Sequence, residues 1–396
     1  MTDPARSMLR DPYLEWARGQ GVPIVEDFCI DIRKVPVAPW ARFGMNGALC
    51  HLKGRDDFIS IFAFELPPGG KSAPTKHIYD EVIYVISGTG STAVTTPDGR
   101  RHSFEWGPKS LFAIPLNAEH QHFNASGREP ARFASTNNMV FAMNRFRSEE
   151  LIFACPVAFP ERFGREGHFT GEGDFIGIRP GRHQWETNFV PDISAFELKS
   201  WTARGAGGSM LRFVLADCTI GCHSSEMPVG TYKKGHRHFD GVCVFAVTGK
   251  GYSLLWKEKD RDFTRIDWEH GCVYCPPDAM FHQHFNVAPF PSRYLALQIG
   301  TVRYPLLEMK RQIWDVGVDK NVREGGAQIE YEDQDPRIHA EWLEEIAKYG
   351  VTSRMGKYID ESRYGVRPLA SQVDQETHRG GQGSDPFATI ARKVAS

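Results

Sequence analysis

The run His-Gln-His-Phe-Asn occurs twice in this chain, at residues 120–124 and again at residues 282–286. The sequence around it repeats as well, because Ile-Ser-Gly-Thr-Gly at residues 86–90 corresponds to Val-Thr-Gly-Lys-Gly at residues 247–251. The offset between the copies is 161 residues at the glycines and 162 at the histidines. Similarity at a constant offset is the signature of a structural unit that has been duplicated.

Each copy alternates apolar and polar residues in short runs that Gly, Pro and Asn interrupt. Residues 82–86 and 110–114 show this pattern in the first copy, and residues 242–248 and 294–298 show it in the second. Such spacing is typical of an antiparallel sandwich or barrel. The sequence therefore predicts an all-β fold of two barrels with short peripheral helices.

The predicted organisation has five parts. They are an N-terminal arm at 1–44, a first barrel at 45–150, a connecting segment at 151–205, a second barrel at 206–302, and a C-terminal helical extension with a flexible tail at 303–396. The clearest helix signal covers Pro336 to Tyr349, where Asp335 can cap the first turn and Gly350 can end the last. A shorter helix is expected over residues 11–20, and the tail is expected to begin near Gln372.

Composition excludes several classes of function. In 396 residues, 47 Lys and Arg nearly balance 49 Asp and Glu, so no net field favours nucleic acid or an anionic membrane. No apolar run is long enough to cross a bilayer, and the polar N-terminus does not resemble a signal peptide.

Eight scattered cysteines fit a reducing compartment, so we expect a cytoplasmic protein. We also expect a homodimer or higher homo-oligomer.

The second copy resembles the two conserved stretches of the cupin superfamily, G-x5-H-x-H-x3,4-E-x6-G and G-x5-P-x-G-x2-H-x3-N. The matching residues are Gly230, His236, His238, Gly249, Gly271, Pro277, His282 and Asn286. Ala279 replaces a motif glycine, and Val242 stands where the family places Glu. The resemblance spans roughly residues 45–300 and implies two double-stranded β-helix (jelly-roll) barrels, a bicupin.

The histidines of the second copy have the spacing of a metal site. Residues two apart on a strand share a face, so His236 and His238 point the same way. His282, from another strand, can complete three ligands and leave coordination positions open. Hydrogen-bonded core histidines are the alternative. We predict the principal metal site here, with Asp240 and His284 as catalytic residues beside it.

The first copy departs from the motif, because Thr75 stands where the first histidine belongs. His77, Glu81 and His120 fall in place and predict either a second, weaker site or a degenerate one. His122 and His284 lie two residues beyond the last ligand of their copies. They are predicted to act beside the metal or in proton transfer, or to be polar residues stacked at the barrel mouth.

Three neutral histidines leave the full charge on a divalent metal, which suits a small anionic substrate that chelates it. The resemblance to gentisate 1,2-dioxygenase-like bicupins implies an iron(II) dioxygenase for a hydroxylated aromatic or other chelating anion, with Mn, Zn or Ni as other metals. One discord is that gentisate-type bicupins use the iron of their first barrel, whereas the second is more complete here. The alternatives are an oxygen-independent lyase, isomerase or decarboxylase, and a non-enzymatic binding protein.

Other side chains could complete or compete with this site. Phe239, Phe281 and Phe285 could form an aromatic wall or belong to the core. Three arginines, Arg212, Arg237 and Arg293, could neutralise a carboxylate, although Arg237 should point away from the interior. The pairs Cys218-x3-Cys222 and Cys272-x2-Cys275 have zinc-knuckle spacing, but buried thiols are expected, since Cys272 and Cys275 should point to opposite faces of a strand.

Overall fold

The computed structural model describes residues 10–54, 58–179, 182–238, 241–258, 260, 262–306 and 320–364. The chain divides into two compact units, Met1–Arg354 and Met355–Ser396. In the second unit the description covers two single 3-10 turns, Met355–Lys357 and Glu361–Tyr364. The predicted flexible tail lies outside the described residues, as does Asp240.

The first unit is built mainly from strands, and both repeats belong to it. The N-terminal segment forms α1 (Pro12–Gly19), β1 (Ile24–Asp27), β2 (Cys29–Asp31) and β3 (Ala38–Trp40). The first repeat forms β4 (Met45–Leu52), β5 (Ser60–Leu66), β6 (Glu81–Ser87), β7 (Gly90–Thr95), β8 (Arg101–Trp106), β9 (Leu111–Ile114), β10 (Glu119–Asn124) and β11 (Ala131–Asn137). Two short helices follow, α2 (Met139–Phe146) and α3 (Glu149–Ala154).

The second repeat has the strands of the first in the same order, with β18 as an additional short strand. The connecting segment forms β12 (Asp174–Arg179), β13 (Arg182–Thr187), β14 (Phe189–Val190) and β15 (Lys199–Ser200). The second repeat forms β16 (Ser209–Leu215), β17 (Ile220–Met227), β18 (Gly235–His236), β19 (Cys243–Thr248), β20 (Lys250–Trp256), β21 (Thr264–Glu269), β22 (Cys272–Tyr274), β23 (Phe281–Asn286) and β24 (Ser292–Ile299). After it come β25 (Gln328–Ile329) and α4 (Pro336–Ala347).

Each repeat makes one barrel from a large and a small sheet. In barrel 1 the large sheet has the order β1-β4-β5-β11-β6-β9-β14 and the small sheet the order β10-β7-β8. In barrel 2 the corresponding orders are β12-β13-β16-β17-β24-β19-β22-β2 and β21-β20-β23-β18-β25. Most strands are buried along their length and carry aromatic and β-branched residues, which suit pleated interiors. The predicted all-β fold of two cupin barrels is confirmed.

The two barrels exchange a strand. The N-terminal strand β2, which precedes barrel 1, pairs with β22 of barrel 2. The connecting strand β14, which precedes barrel 2, pairs with β9 of barrel 1. The predicted N-terminal arm and connecting segment are therefore parts of the sheets of both barrels. The boundaries of the five predicted parts stay a prediction.

Helix α4 covers the small sheet of barrel 2. As predicted, Asp335 caps it, accepting a hydrogen bond from the backbone N–H of Arg337, and Pro336 occupies its first turn. Ile338, Trp342 and Ile346 are buried, and the Trp342 indole N–H donates to the carbonyl of Asn286 at 3.0 Å. The helix packs as a structural cover, and α1 forms inside the predicted span of residues 11–20.

The repeated Asn of the motif has the same structural role in both barrels. The Asn124 side-chain amide donates to the carbonyls of Leu66, Pro67 and Glu129. The Asn286 amide donates to three equivalent carbonyls, those of Met227, Pro228 and Phe290. In each barrel three backbone carbonyls would lose a hydrogen-bond donor without this side chain, so the Asn has the same structural role in both copies.

Ala279 adopts a left-handed backbone conformation, with φ of 66°. A Cβ atom strains this conformation by roughly 1–2 kcal/mol, whereas glycine adopts it freely. We therefore expect Ala279→Gly to raise the free energy of unfolding by about 0.5–1 kcal/mol, after allowing for the greater freedom of glycine in the unfolded chain. Urea denaturation measures this, with Ala93→Gly in β7 as the destabilising control. A variant less stable than the parent would contradict the expectation.

Candidate metal centre in the second barrel

Cross-strand pairing brings the histidines of barrel 2 together. His236 ends β18 and lies directly opposite His282 on β23, and the two ring centroids are 4.3 Å apart. His284 lies two residues further along β23 and therefore faces the same side. His238 follows β18, with its ring 4.6 Å from that of His282 and 5.7 Å from that of His236.

Backbone carbonyls fix the orientation of two of these rings. His236 Nδ1 lies 3.1 Å from the carbonyl oxygen of Lys234, and His282 Nδ1 lies 3.2 Å from that of Met280. A carbonyl can only accept, so Nδ1 carries the proton and Nε2 keeps its lone pair for a metal. Burial lowers the pKa of both imidazoles well below the usual value, and the charge of Arg204 lowers them further. Both rings are therefore neutral, as metal binding requires.

The donor atoms fit a divalent transition metal. Nitrogens of His236, His282 and His284 lie within 4.8 Å of one another. Ligand nitrogens bound about 2 Å from one ion are separated by roughly 3 Å, so small ring movements close the site. The predicted set was His236, His238 and His282, and the structure brings all four rings together; which one is the third ligand stays a prediction.

His284 and its counterpart His122 are held from behind by hydroxyl groups. Ser253 Oγ lies 2.8 Å from His284 Nδ1 and accepts a hydrogen bond from the Trp268 indole. Thr92 makes the same contacts in barrel 1, where it lies 2.8 Å from His122 Nδ1 and accepts from the Trp106 indole. The sequence repeat thus includes a buried hydroxyl and tryptophan beneath each second histidine.

Barrel 2 adds a phenol at this place. Tyr274 OH lies 3.0 Å from His284 Nδ1, while the corresponding residue of barrel 1 is Phe112, which only packs against His122. The charged groups around His284 also differ from those around His122. Burial, followed by the charges of Lys233, His238 and Arg204, lowers the pKa of His284 to about 3.

The histidines face a small cavity whose wall contains three arginines. The cavity has a volume of about 50 Å³. Three guanidinium groups line it, those of Arg182, Arg204 and Arg212. In the part of the chain that the structure describes, the wall contains no Asp or Glu. The apolar part of the wall consists of Trp201, Met210, Val242, Val244, Tyr294 and Ala296.

Two of these arginines come from the connecting segment. Arg182 lies on β13, which pairs in parallel with β16 and places Gln184 opposite Arg212, so Arg182 and Arg212 share one face of the sheet. Trp201 organises the group, because the Arg182 guanidinium lies 4.2 Å from its ring centroid and that of Arg204 lies 5.5 Å away. Lys233, which is buried, lies behind this wall, with Nζ 4.9 Å from the Tyr294 ring and hydrogen-bonded to Ser225.

Of the arginines predicted from the sequence, only Arg212 lines the cavity. Arg237 points away, as predicted, and pairs with Glu258 at 3.1 Å. Arg293 pairs with Glu226 and donates to the carbonyls of Ile193 and Phe196. Sequence reasoning missed Arg182 and Arg204, since nothing in the pattern of the connecting segment shows that it pairs with barrel 2.

Of the two roles left open for the phenylalanines, Phe281 and Phe285 take the core role, because alternation on β23 turns them away from the histidines. Phe281 stacks on Trp256 at 5.8 Å, and Phe285 stacks on Tyr252 at 4.6 Å. Both belong to the packing of barrel 2, as the alternative held. Phe239 lies outside the described residues, like Asp240.

The donor residues of barrel 1 also meet. His77, Glu81 and His120 form a buried group with donor atoms within 4.8 Å. Burial alone would raise the pKa of Glu81, but the hydrogen bond and charge of His77, with His120 and Ser135, hold it at about 2. His77 stacks on Tyr79 at 3.7 Å, which further encloses the group.

The cysteine pairs with zinc-knuckle spacing are reduced. All eight cysteines are free thiols, and among the described residues the two groups of possible metal donors contain histidines and Glu81. Cys275 Sγ lies 3.2 Å from the carbonyl oxygen of Gly54, while Cys272 contacts Cys29. Buried thiols, the expected state, account for the pairs in the described part of the chain.

Thr75 occupies the position that His236 has in barrel 2, because it pairs with His120 as His236 pairs with His282. We therefore expect Thr75→His to complete four donors in barrel 1 and to raise bound metal toward two ions per chain. Metal analysis after dialysis measures this, with Thr75→Val as the control that should leave the metal content unchanged. An unaltered content in Thr75→His would show that barrel 1 cannot open for an ion.

The third ligand of barrel 2 can be assigned by comparing two variants. We expect His238→Ala to weaken metal binding by more than about 100-fold, as loss of a direct ligand should. His284→Ala should keep the metal and lower turnover by about 100-fold, because its counterpart His122 lies outside the donor group of barrel 1. Competition with a chelator dye measures the affinity. Metal loss in His284→Ala alone would assign the third position to His284.

Comparisons with known proteins agree with the fold. Residues 62–137, which contain His77, Glu81 and His120, match the family profile described as Cupin domain. A search of curated proteins found no significant match, and none of the described helices is long and apolar enough to cross a membrane.

Similar solved structures include oxalate decarboxylases. A mutant of the Bacillus subtilis enzyme is 15% identical over 70% of this chain and 78% of its own, with a TM-score of 0.45. The Lactobacillus farciminis enzyme in its formate complex is 13% identical over 72% and 88%, with a TM-score of 0.47. At this level the likeness bears on neither reaction nor substrate. The chain carries a cupin domain in its first repeat and a second barrel of the same construction in its second.

Proposed function

We propose that this chain is a metal-dependent enzyme whose active site is the cavity of barrel 2 and whose substrate is a compact polyanion. The observation that carries this is the cavity wall, where three arginines surround a histidine group that fits a divalent metal. Guanidinium groups bind carboxylates through charge-assisted, often bidentate hydrogen bonds. A substrate with two anionic groups can therefore occupy the histidine side and the arginine side of the cavity together.

His236, His238 and His282 are the residues that would hold the metal. A divalent ion bound there supplies Lewis acidity and a position for a chelating oxygen of the substrate. Val242 lines the cavity where the motif has Glu, so the protein contributes neutral ligands only, within the described residues. An anionic substrate thus meets an undiminished metal charge as well as the arginines.

The reaction class that this wall supports best is oxygen-independent lyase chemistry, with decarboxylation as the simplest example. When a carboxylate leaves as carbon dioxide, the electron pair of the broken C–C bond stays on the substrate and must be stabilised until a proton replaces the lost group. Fixed positive groups such as Arg204 and Arg212 stabilise developing negative charge without reorganisation. His284, held by Ser253 and Tyr274, is placed to hydrogen-bond the reacting part of the substrate.

An iron(II) dioxygenase is the second candidate, and the all-histidine ligand set favours it. The small cavity suits a compact aliphatic acid better than a hydroxylated aromatic bound together with dioxygen. We therefore place the lyase first. Iron, manganese, zinc and nickel all accept imidazole ligands, and the donor set alone does not choose among them.

The arginine wall should set affinity for the polyanion. We expect Arg212→Met to raise the dissociation constant of a small dicarboxylate by about 10–100-fold, which corresponds to one charged hydrogen bond of about 1.5–3 kcal/mol. Titration calorimetry on metal-loaded protein measures this. Arg237→Met is the matched control, because its guanidinium faces Glu258 outside the cavity. Equal effects of the two substitutions would show that the arginine wall does not bind the substrate.

Turnover with and without oxygen separates the two enzyme candidates. Metal-loaded protein is incubated with a panel of small hydroxy-, oxo- and dicarboxylic acids in sealed cells, and carbon dioxide and oxygen are followed. We expect carbon dioxide release at an undiminished rate under argon. Turnover that stops under argon and consumes oxygen in equal amount to substrate would replace the lyase by the dioxygenase. Tight binding with no turnover by any loaded metal would reject both.

A further inference from the structure

Two thiols meet where the exchanged strand β2 joins barrel 2. In the register of β2 and β22, Cys29 lies opposite Tyr274 and Asp31 lies opposite Cys272. All four side chains share one face of the sheet, and Cys29 and Cys272 are diagonal neighbours on it. Both thiols pack in the same core cluster, and Cys29 Sγ donates to the carbonyl oxygen of Asp267 at 3.8 Å.

The pair has the chemistry of a redox couple. Interaction with the Cys29 thiol lowers the pKa of Cys272 to about 7, against the effect of burial. Cys29 is partly exposed and Cys272 is 8% exposed, which gives a small oxidant access to the site. The corresponding residues of barrel 1 and its exchanged strand are Ser110 and Phe189, so the thiol pair is a feature of this side only.

We propose that Cys29 and Cys272 form a reversible disulfide when the protein meets a hydroperoxide. The Cys272 thiolate attacks the peroxide oxygen and the O–O bond breaks. An alcohol or water is released, and Cys272 becomes a sulfenic acid. The Cys29 thiol then attacks that sulfur, and a water molecule leaves as the S–S bond forms. The peroxide is reduced by two electrons, and two thiols are oxidised to one disulfide.

The sheet register makes this disulfide strained and therefore easily reduced. Diagonal neighbours in an antiparallel pair have Cβ atoms further apart than the roughly 3.5–4.5 Å of a relaxed disulfide. The short strand β2 must therefore shift along β22 when the bond forms, and a strained bond is more easily reduced. Tyr274 lies opposite Cys29 and contacts His284, which lines the barrel-2 cavity, so this strand pair adjoins the wall of that cavity.

Peptide mapping of the full-length protein tests the proposal, and it needs neither a metal nor a substrate. The protein is treated with a small excess of hydroperoxide, free thiols are blocked, and non-reduced peptides are identified by mass. We expect one linked pair, Cys29 with Cys272, that dithiothreitol reverses. In Cys29→Ser, Cys272 has no resolving partner and should proceed to the sulfinic acid.

The buried thiols of Cys218 and Cys222 provide the internal control. They should stay reduced and should react with the blocking reagent only after the protein is unfolded. The proposal fails if Cys29 and Cys272 are both recovered as blocked thiols after treatment. It also fails if Cys272 of the parent protein is over-oxidised without a link, or if either thiol is linked to another cysteine. Because no activity is measured, these outcomes are separate from the fate of the proposed reaction.

Discussion

The candidate site depends on one antiparallel contact, the pairing of residue 236 with residue 282. This contact places the first ligand strand against the second, and alternation along β23 then directs His282 and His284 into the barrel while Phe281 and Phe285 pack outside. The same contact in barrel 1 joins Thr75 to His120. One register therefore creates two sites, which differ in the side chains at Thr75 and His236 and at Glu81 and Val242.

The two copies differ in what surrounds the shared geometry. In barrel 1 the Glu81 carboxylate lies 3.3 Å from His77 Nε2, and Tyr79 stacks on the His77 ring. Around His236 and His282 the connecting segment contributes Arg182 and Arg204, so that with Arg212 three arginines line one small cavity. Cations in such surroundings act strongly on one another and on any anion that enters, since the effective dielectric constant is low. Barrel 2 is thereby suited to a ligand that brings negative charge.

Much of this arrangement could be predicted from the sequence, because period and repeat are local properties. The two β barrels, helix α4 and the grouping of His236 with His282 all follow from spacing. The contributions of Arg182 and Arg204 do not, because they depend on which strand the connecting segment joins. Similarly, alternation predicts that Phe281 and Phe285 face away from the histidines, but their place on β23 had to be known first. The exchange of β2 and β14 between barrels depends on long-range pairing that leaves no periodic signal.

The most direct test of the central claim is anomalous diffraction from crystals of the protein grown with manganese(II). The account predicts one strong anomalous peak in barrel 2, bonded to His236 and His282 with His238 as the third histidine and with open positions directed at the arginine wall. A peak of equal or greater strength at His77, Glu81 and His120, with none in barrel 2, would contradict it.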